Sequence, residues 1–185
     1  MRIVAGAWRG RALTAPSGTA TRPTADRVRQ ALFDMLLHAP WGGREIVEGV
    51  HVLDVFAGTG AFGLEALSRG ATRATFIEHD HTALTALRAN IAACRAQDRS
   101  TVLDIDVLSI PPGEAANLVF FDPPYRSDLL APAIAYLRTV GRIAPGAVLI
   151  AETARDEEAR VDELLADRVH GAARISIWRE KPVVI

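Results

Sequence analysis

The chain has 185 residues, of which 49% are hydrophobic and 23% charged, with 21 basic against 22 acidic side chains. This length predicts one globular domain with a small appendage, which can fold without a disulfide or a metal. A single cysteine, Cys94, excludes an internal disulfide, and no Cys or His cluster has zinc-ligand spacing. No apolar run approaches the ~18 residues of a membrane span, and the first residues are too interrupted for a signal peptide. We therefore expect a cytoplasmic monomer with no metal and no membrane association.

The net charge of −1 hides an asymmetry along the chain. Residues 1–44 carry seven arginines and two aspartates, a net charge of +5, whereas the rest of the chain has a net charge of −6. Such a split is typical of a segment that faces a polyanion. Since 20 of the 21 basic residues are arginine, scattered solvated arginines are an equally open interpretation.

The N-terminal segment is predicted to contain a hairpin and a helix. Residues 1–15 alternate loosely around Gly6 and Gly10, which predicts a β-hairpin. Thr24 is suited to be the N-cap of a helix that runs to about residue 38. The apolar positions of this helix follow helical spacing and form a predicted buried stripe. The stripe consists of Val28, Leu32, Met35 and Leu36.

Arginines on both elements are candidates for binding a polyanion. Three of them cluster at the start of the helix, where each cation opposes the helix dipole at a cost of a few tenths of a kcal/mol. This local conflict indicates a functional demand. Glycines at 42–43 mark a boundary, so we predict a basic hairpin-and-helix extension over 1–44 and a second domain over 45–185. The candidate arginines are Arg2, Arg9, Arg11, Arg22, Arg27 and Arg29.

From residue 50 onward, strands alternate with helices, a pattern typical of a mostly parallel α/β sheet with helices on both faces. The last stretch, 168–184, is predicted to hold two strands joined near Gly171. With these two, the pattern predicts seven strands. The other predicted strands are 50–56, 74–77, 101–105, 117–121 and 147–151, and the predicted helices are 61–69, 80–96, 128–140 and an acidic helix near 155–166.

A glycine turn follows the first of these strands. Gly58, Gly60 and Gly63 form a G-x-G-x-x-G sequence between a strand and a helix, the fingerprint of a dinucleotide site. Glu78 lies 20 residues after Gly58 at the next strand end, where an acid would hold ribose hydroxyls. Taken alone, this pattern favours a nicotinamide dinucleotide.

Asp54 favours a different cofactor. It lies four residues before the first glycine, where its carboxylate would repel a pyrophosphate. S-adenosylmethionine has no phosphate, and its sulfonium and amino groups are cations that suit an acidic pocket. Glu78 would accept both ribose hydroxyls, and Asp106 with Val107 would meet the adenine edge. The candidate cofactor residues are Asp54, Phe56, Gly58, Gly60, Glu78, Asp106, Val107 and Asp122.

The segment Asp122-Pro123-Pro124-Tyr125 follows the fourth predicted strand at the same sheet edge. It suits methylation of the exocyclic amine of a base, a weak nucleophile because its lone pair is shared with the ring. The Asp122 carboxylate and the Pro123 carbonyl would accept the N–H groups and localise that lone pair, while two prolines hold both acceptors in place. Tyr125 offers a face for a splayed-out base, worth roughly 1–3 kcal/mol. These four residues are the candidate catalytic segment.

Five groups of motifs, spread over nearly the whole chain, share one resemblance. They are Met1-Arg2-Ile3-Val4-Ala5-Gly6 with Trp8-Arg9-Gly10-Arg11, Arg22-Pro23-Thr24 with Asp26-Arg27-Val28-Arg29, Leu32-Phe33, Asp54-Val55-Phe56-Ala57-Gly58-Thr59-Gly60 with Gly63-Leu64-Glu65-Ala66-Leu67-Ser68-Arg69-Gly70-Ala71, and Phe121-Asp122-Pro123-Pro124-Tyr125. The chain resembles the class I S-adenosylmethionine-dependent methyltransferases. More narrowly, it is similar to the RsmD family of bacterial 16S rRNA guanine-N2 methyltransferases.

The resemblance implies a Rossmann-like class I methyltransferase sheet in residues 45–185. It also implies transfer of a methyl group from S-adenosyl-L-methionine to the N2 amine of a guanine in 16S rRNA, within the small ribosomal subunit or an assembly intermediate. In that family the N-terminal hairpin and its arginines are implied to contact RNA. The Arg-Pro-Thr segment is implied to border the cofactor pocket.

Other functions use parts of the same pattern. N6-methylation of adenine in DNA uses the same four-residue motif, although usually with a target-recognition domain for which 185 residues leave no room. Protein glutamine methylation uses a related motif, typically with Asn in place of Asp122. A nicotinamide-dependent dehydrogenase is disfavoured by Asp54 and by the candidate catalytic segment. A non-catalytic RNA-binding module would have no use for three acids that face a cofactor.

Overall fold

The computed structural model describes residues 1–16, 23–159, 161 and 163–181. Seven strands within these residues form a single sheet. The buried positions along β1 and β4 are nearly continuous, as expected of strands that are covered on both faces. The strands are β1 (His51–Val55), β2 (Arg73–Glu78), β3 (Ser100–Asp104), β4 (Ala116–Phe121), β5 (Ile143–Ala154), β6 (Leu164–His170) and β7 (Ala173–Arg179).

The order and direction of the strands confirm the predicted mostly parallel sheet. The order is β3-β2-β1-β4-β5-β7-β6, and all pairs from β3 to β5 are parallel. Only β7 runs antiparallel, between β5 and β6, within the described residues. In the same part of the chain, no helix is both long and apolar enough to cross a membrane. The α-helices are α1 (Pro23–His38), α2 (Ala61–Ser68), α3 (His81–Ala93) and α4 (Leu130–Thr139).

Helices cover both faces of the sheet, as predicted. Because strand side chains alternate between faces, neighbouring residues of one strand enter different cores. Phe120 of β4 lies in the core formed with α1, α2 and α3, and its ring stacks on Phe62 with centroids 5.0 Å apart. Phe121 lies in the second core, where Ile134 and Leu137 of α4 pack. The glycine turn and the strand ends are therefore held between two apolar layers.

The N-terminal segment folds back on itself but forms no regular hairpin within the described residues. One isolated antiparallel bridge joins Arg2 and Ala12, supported by main-chain hydrogen bonds from Ile3 to Arg11 at 2.9 Å and from Leu13 to Met1 at 3.0 Å, and a short 3-10 helix occupies Gly6–Trp8. Ile3 and Leu13 are buried in the same core as the sheet residues. The segment thus shares a core with the sheet, and a domain boundary at residue 44 stays a prediction.

Two local predictions are wrong. The first helix begins at Pro23, so Thr24 lies inside it and is not the N-cap; proline suits this first helical position because it has no N–H to leave unpaired. No acidic helix appears in the described residues between 155 and 166, and β6 begins at Leu164. Ala166 is buried opposite Ile177 of β7, so strand pairing overrides the helix-forming composition of this region.

Candidate active site

The sequence-predicted acids lie where neighbouring parallel strands end. Asp54 of β1 is in register with Phe120 of β4, and Phe121 of β4 is in register with Ala151 of β5. Asp122 is therefore the next residue after β4, and its main-chain N–H donates to the carbonyl oxygen of Val55 at 3.2 Å. This edge of the sheet is the usual place for ligands in such folds.

Asp54 lies beneath the glycine turn and not at an open surface. Only 1% of the residue is exposed, and its Oδ2 accepts a hydrogen bond from the main-chain N–H of Gly63 at 2.8 Å. Burial raises the pKa of Asp54 to about 7, and the negative charge of Glu78 adds to the effect. Asp54 was expected to line an acidic pocket. In the structure it is buried behind the glycine turn and is hydrogen-bonded to the first turn of α2.

Glu78 is held by three main-chain N–H groups. Its Oε2 accepts from Gly58 at 2.8 Å, and its Oε1 accepts from His79 and Asp80, each at 2.8 Å. These contacts join the end of β2 to the glycine turn after β1. The carboxylate is thereby fixed in orientation next to the turn.

The glycines of the turn differ in what surrounds them. A Cβ on Gly58 would have no neighbour nearer than 4.0 Å, so its Cα faces open space that a ligand can approach. A Cβ on Gly60 would lie 2.4 Å from Cδ1 of Leu87, and one on Gly63 would lie 2.4 Å from Cε1 of Phe76. Gly58 therefore borders the pocket, while the other two permit close packing of α2 on the sheet.

The remaining candidate cofactor residues lie on two strand ends. Phe56, directly after β1, is half-buried and has a left-handed backbone with φ of +60°. Asp106 is exposed beyond β3 and accepts a hydrogen bond from the main-chain N–H of Leu108 at 2.7 Å. Val107 is buried in the second core. The structure brings these residues to the same edge as Glu78, since β3, β2 and β1 are adjacent.

The candidate catalytic segment begins in the sheet and ends at the surface. Asp122 is half-buried, Pro123 is buried, and Pro124 and Tyr125 are exposed. Burial raises the pKa of Asp122 well above its usual value, and the charges of Glu152 and Asp54 act in the same direction. Tyr125 is 47% exposed.

The loop after Tyr125 is tied to the end of β5. Glu157 accepts hydrogen bonds from the main-chain N–H groups of Arg126 and Ala154, each at 2.9 Å. The Arg126 guanidinium also pairs with Asp156 at 3.1 Å. The position of the candidate catalytic segment is thus set from both sides, by β4 before it and by β5 after it.

The sequence interpretation missed one acid at this edge, Glu152 of β5. It is half-buried, and its Oε1 accepts a hydrogen bond from the Tyr125 hydroxyl at 3.1 Å. Burial raises its pKa, and the Tyr125 hydrogen bond opposes this shift. A signal was available, because Glu152 directly follows the predicted strand 147–151, as Asp122 follows 117–121.

The candidate RNA-binding arginines separate into surface and buried groups. Arg2, Arg9, Arg11 and Arg27 are exposed, whereas Arg22 lies outside the described residues.

The assignment of Arg29 to an RNA surface is wrong. Only 2% of Arg29 is exposed, and its guanidinium pairs with Asp26 at 3.0 Å and lies 3.5 Å from the Glu65 carboxylate. It stabilises the interior between α1 and α2, because a buried charge needs such partners.

The basic N-terminal segment borders the glycine turn. The Asn90 side chain donates to the carbonyl oxygens of Thr14 and Thr59, each at 2.9 Å. Trp8 belongs to the N-terminal segment, and its ring centre lies 5.0 Å from the Arg99 guanidinium, a cation–π contact. The exposed N-terminal arginines are therefore anchored next to the candidate cofactor pocket.

The strand order and the carboxylate-lined glycine turn define a class I methyltransferase, an enzyme that uses S-adenosylmethionine. The model of the family described as "Conserved hypothetical protein 95" matches residues 1–178. The chain is 41% identical over 155 residues to ribosomal RNA small subunit methyltransferase D of Escherichia coli, covering 83% of this chain and 74% of that protein. It is 33% identical over 187 residues to the Haemophilus influenzae protein of the same name, covering 97% and 93%.

A solved structure leads to the same family. A candidate methyltransferase from Escherichia coli superposes on this chain with a TM-score of 0.83 at 36% identity, over 98% of both chains. The chain belongs to the ribosomal RNA small subunit methyltransferase D family.

Proposed function

We propose that this protein transfers a methyl group from S-adenosylmethionine to the exocyclic N2 amine of a guanine in 16S rRNA. The observation that carries the proposal is the segment Asp122–Tyr125, which places two hydrogen-bond acceptors and an exposed aromatic ring beside the glycine turn. The relatives named above are small-subunit ribosomal RNA methyltransferases, which supports rRNA as the substrate.

The pocket suits a cationic nucleoside better than a dinucleotide. The main-chain N–H groups of Gly58 and Gly63, which would bind a pyrophosphate, already donate to Glu78 and Asp54. Glu78 has lone pairs left for ribose hydroxyls, and the open space at Gly58 admits the ligand. When bound there, S-adenosylmethionine supplies a methyl group on a sulfonium centre.

The remaining contacts to the cofactor follow from the strand ends. Asp106 would accept from the exocyclic amine of the adenine, with Val107 and Phe56 as apolar neighbours. Gly60 permits the tight turn beneath. This arrangement explains why acids and glycines alternate with apolar residues along this edge.

Asp122 and Pro123 act on the nucleophile. The Asp122 carboxylate and the Pro123 carbonyl oxygen accept the two N–H groups of the amine, which localises the nitrogen lone pair away from the base. The new N–C bond would form as the bond between the methyl group and the sulfonium sulfur breaks, with that electron pair left on sulfur as a neutral thioether. The nitrogen then becomes cationic and acidic, and one of its protons passes to Asp122. The raised pKa of Asp122 suits this role, because a carboxylate in that environment binds a proton more readily.

Tyr125 and the basic segment position the RNA. A guanine that has left its stack can lie on the exposed Tyr125 ring, since its amine must reach Asp122. The exposed Arg2, Arg9 and Arg11 would contact the phosphates around it.

The test is methyl transfer from labelled S-adenosylmethionine to small ribosomal subunits that lack the modification, followed by nucleoside analysis. The control is Asp98→Ala, which removes an exposed aspartate that is not part of the candidate site. The wild type and this variant should both yield N2-methylguanosine. Asp122→Ala should lose transfer by orders of magnitude and keep cofactor binding. Label in another nucleoside, or none, would contradict the proposed function. Equal loss of binding and transfer in Asp122→Ala would contradict its catalytic role.

A further inference from the structure

We infer that Glu152 selects the target base, by accepting the N1–H of guanine while Asp122 accepts from the neighbouring amine. The inference rests on the proposed function, and it assigns to Glu152 the discrimination of guanine from other bases that carry an amine. Asp122 could not do this alone, because every amine-bearing base presents an N–H group to it.

The sheet places the two carboxylates side by side. Phe120 of β4 is in register with Ile150 of β5, and both side chains lie in the same core. Glu152 follows two residues later within β5, and Asp122 follows two residues later, directly after the end of β4, so the alternation of the strands directs them toward the same face. In agreement with this placement, the charge of Glu152 contributes to the raised pKa of Asp122.

Glu152 also lies at the edge of the ring on which the base would stack. The Tyr125 hydroxyl donates to Oε1 of Glu152 at 3.1 Å, which orients the carboxylate. A carboxylate can accept about four hydrogen bonds, so this contact leaves capacity for a donor on the base. A base on Tyr125 with its amine at Asp122 would therefore present the adjacent ring nitrogen to Glu152.

The Watson–Crick edge of guanine fits two adjacent acceptors, and those of the other amine-bearing bases do not. Guanine presents N1–H and N2–H next to each other, both donors. Adenine presents its N6 amine beside N1, and cytosine presents its N4 amine beside N3, and both ring nitrogens are acceptors. With either base, the lone pair of the ring nitrogen would face the Glu152 carboxylate, so two acceptors would oppose each other without a hydrogen between them.

2-Aminopurine tests this assignment, because it keeps the C2 amine of guanine but has an acceptor at N1. Small subunits would be reconstituted on 16S rRNA in which the guanosine methylated by the wild type is replaced by 2-aminopurine riboside. For the wild type we expect kcat/KM to favour guanosine by at least about 10-fold, the effect of one hydrogen bond to a charged group. In Glu152→Gln the preference should fall below about threefold, because an amide can also donate to N1.

The comparison of two ratios cancels other differences between the substrates. Loss of the guanine O6, or a lower yield of assembled subunits, affects wild type and variant equally. Glu158→Gln removes an exposed carboxylate that pairs with Arg174 at 3.1 Å, and it should keep the wild-type preference. Should Glu152→Gln fail to fold, Glu152→Asp, which withdraws the acceptor by one methylene, must lower the same ratio.

Two results would overturn the inference: a wild type that methylates both bases equally well, or a Glu152 variant with the undiminished preference. Both are distinct from failure of the proposed function, in which the wild type yields no N2-methylguanosine at all.

Discussion

Glu65 joins the N-terminal segment to the methyltransferase sheet, and its charge can be removed without changing its shape. The side chain is fully buried on α2, where it accepts from the main-chain N–H groups of Val4 at 2.8 Å and Ala5 at 3.0 Å. The same carboxylate pairs with Arg69 at 2.7 Å and lies 3.5 Å from Arg29. Glu65 is therefore shared by two buried cations, of which Arg29 also pairs with Asp26 at 3.0 Å.

Glu65→Gln should lower the free energy of unfolding by about 3 kcal/mol. Removing one partner of a buried ion pair costs about 3–5 kcal/mol, and the lower end applies because glutamine can still accept one hydrogen bond. In the described residues, Nε of Arg29 and Nη2 of Arg69 already lack a hydrogen-bond acceptor, and the ion pair of Arg69 is the one with Glu65, so its guanidinium has little other compensation. For a domain of this size the loss corresponds to a fall in Tm of about 6–12 °C.

Urea denaturation and thermal unfolding of wild type and Glu65→Gln measure this loss. Glu48→Gln is the matched control, because it breaks an exposed pair with Arg44 at 3.1 Å and should cost less than about 1 kcal/mol. If both variants lose the same small amount, Glu65 is not the link between the N-terminal segment and the sheet, and the reasoning is refuted.

Four other variants test the pocket and the basic segment. Since burial raises the pKa of Asp54 to about 7, the stability contributed by its protonated form is complete below about pH 4 and lost as the pH rises towards 7. As the pH rises over this range, the free energy of unfolding of Asp54→Asn, measured by urea titration, should therefore increase by a few kcal/mol relative to that of the wild type. Gly58→Ala should weaken cofactor binding measured by calorimetry, and its backbone strain should lower the free energy of unfolding by only about 1 kcal/mol. Gly60→Ala should lower the free energy of unfolding by about 3 kcal/mol, because its Cβ enters the core. Replacing Arg9 and Arg11 with Gln should reduce the slope of log K against log salt for RNA binding by about 1–2.

Each of these predictions has an outcome that would contradict it. Parallel stability curves for wild type and Asp54→Asn from acid to neutral pH would show that the carboxylate does not ionise in a buried site. Equal losses of stability in the two glycine variants would argue against an open side at Gly58. The arginine pair is compared with Arg168→Gln and Arg179→Gln, exposed arginines on β6 and β7, and an equal change of slope there would argue against a localised RNA surface.

Local signals were sufficient for the parts of the site that depend on backbone chemistry. Buried parallel strands are apolar runs, so β1 and β4 were predictable close to their observed bounds. The glycine turn and the two prolines impose their own backbone geometry, and the acids next to them identified the edge of the pocket. The same rule, applied to the end of the predicted strand 147–151, would have found Glu152.

Other features depended on partners that are distant along the chain. Nothing near Arg29 in the sequence shows that Glu65 lies beside it, yet that contact turns a surface arginine into a buried one. The last residues of the predicted acidic helix, Leu164 to Ala166, belong to β6 and pair with β7 instead. Turn geometry and apolar periodicity are properties of neighbouring residues and can be recognised in a sequence. The burial and pairing of a charged side chain depend on which remote groups the fold brings to it, so only the tertiary structure could decide them.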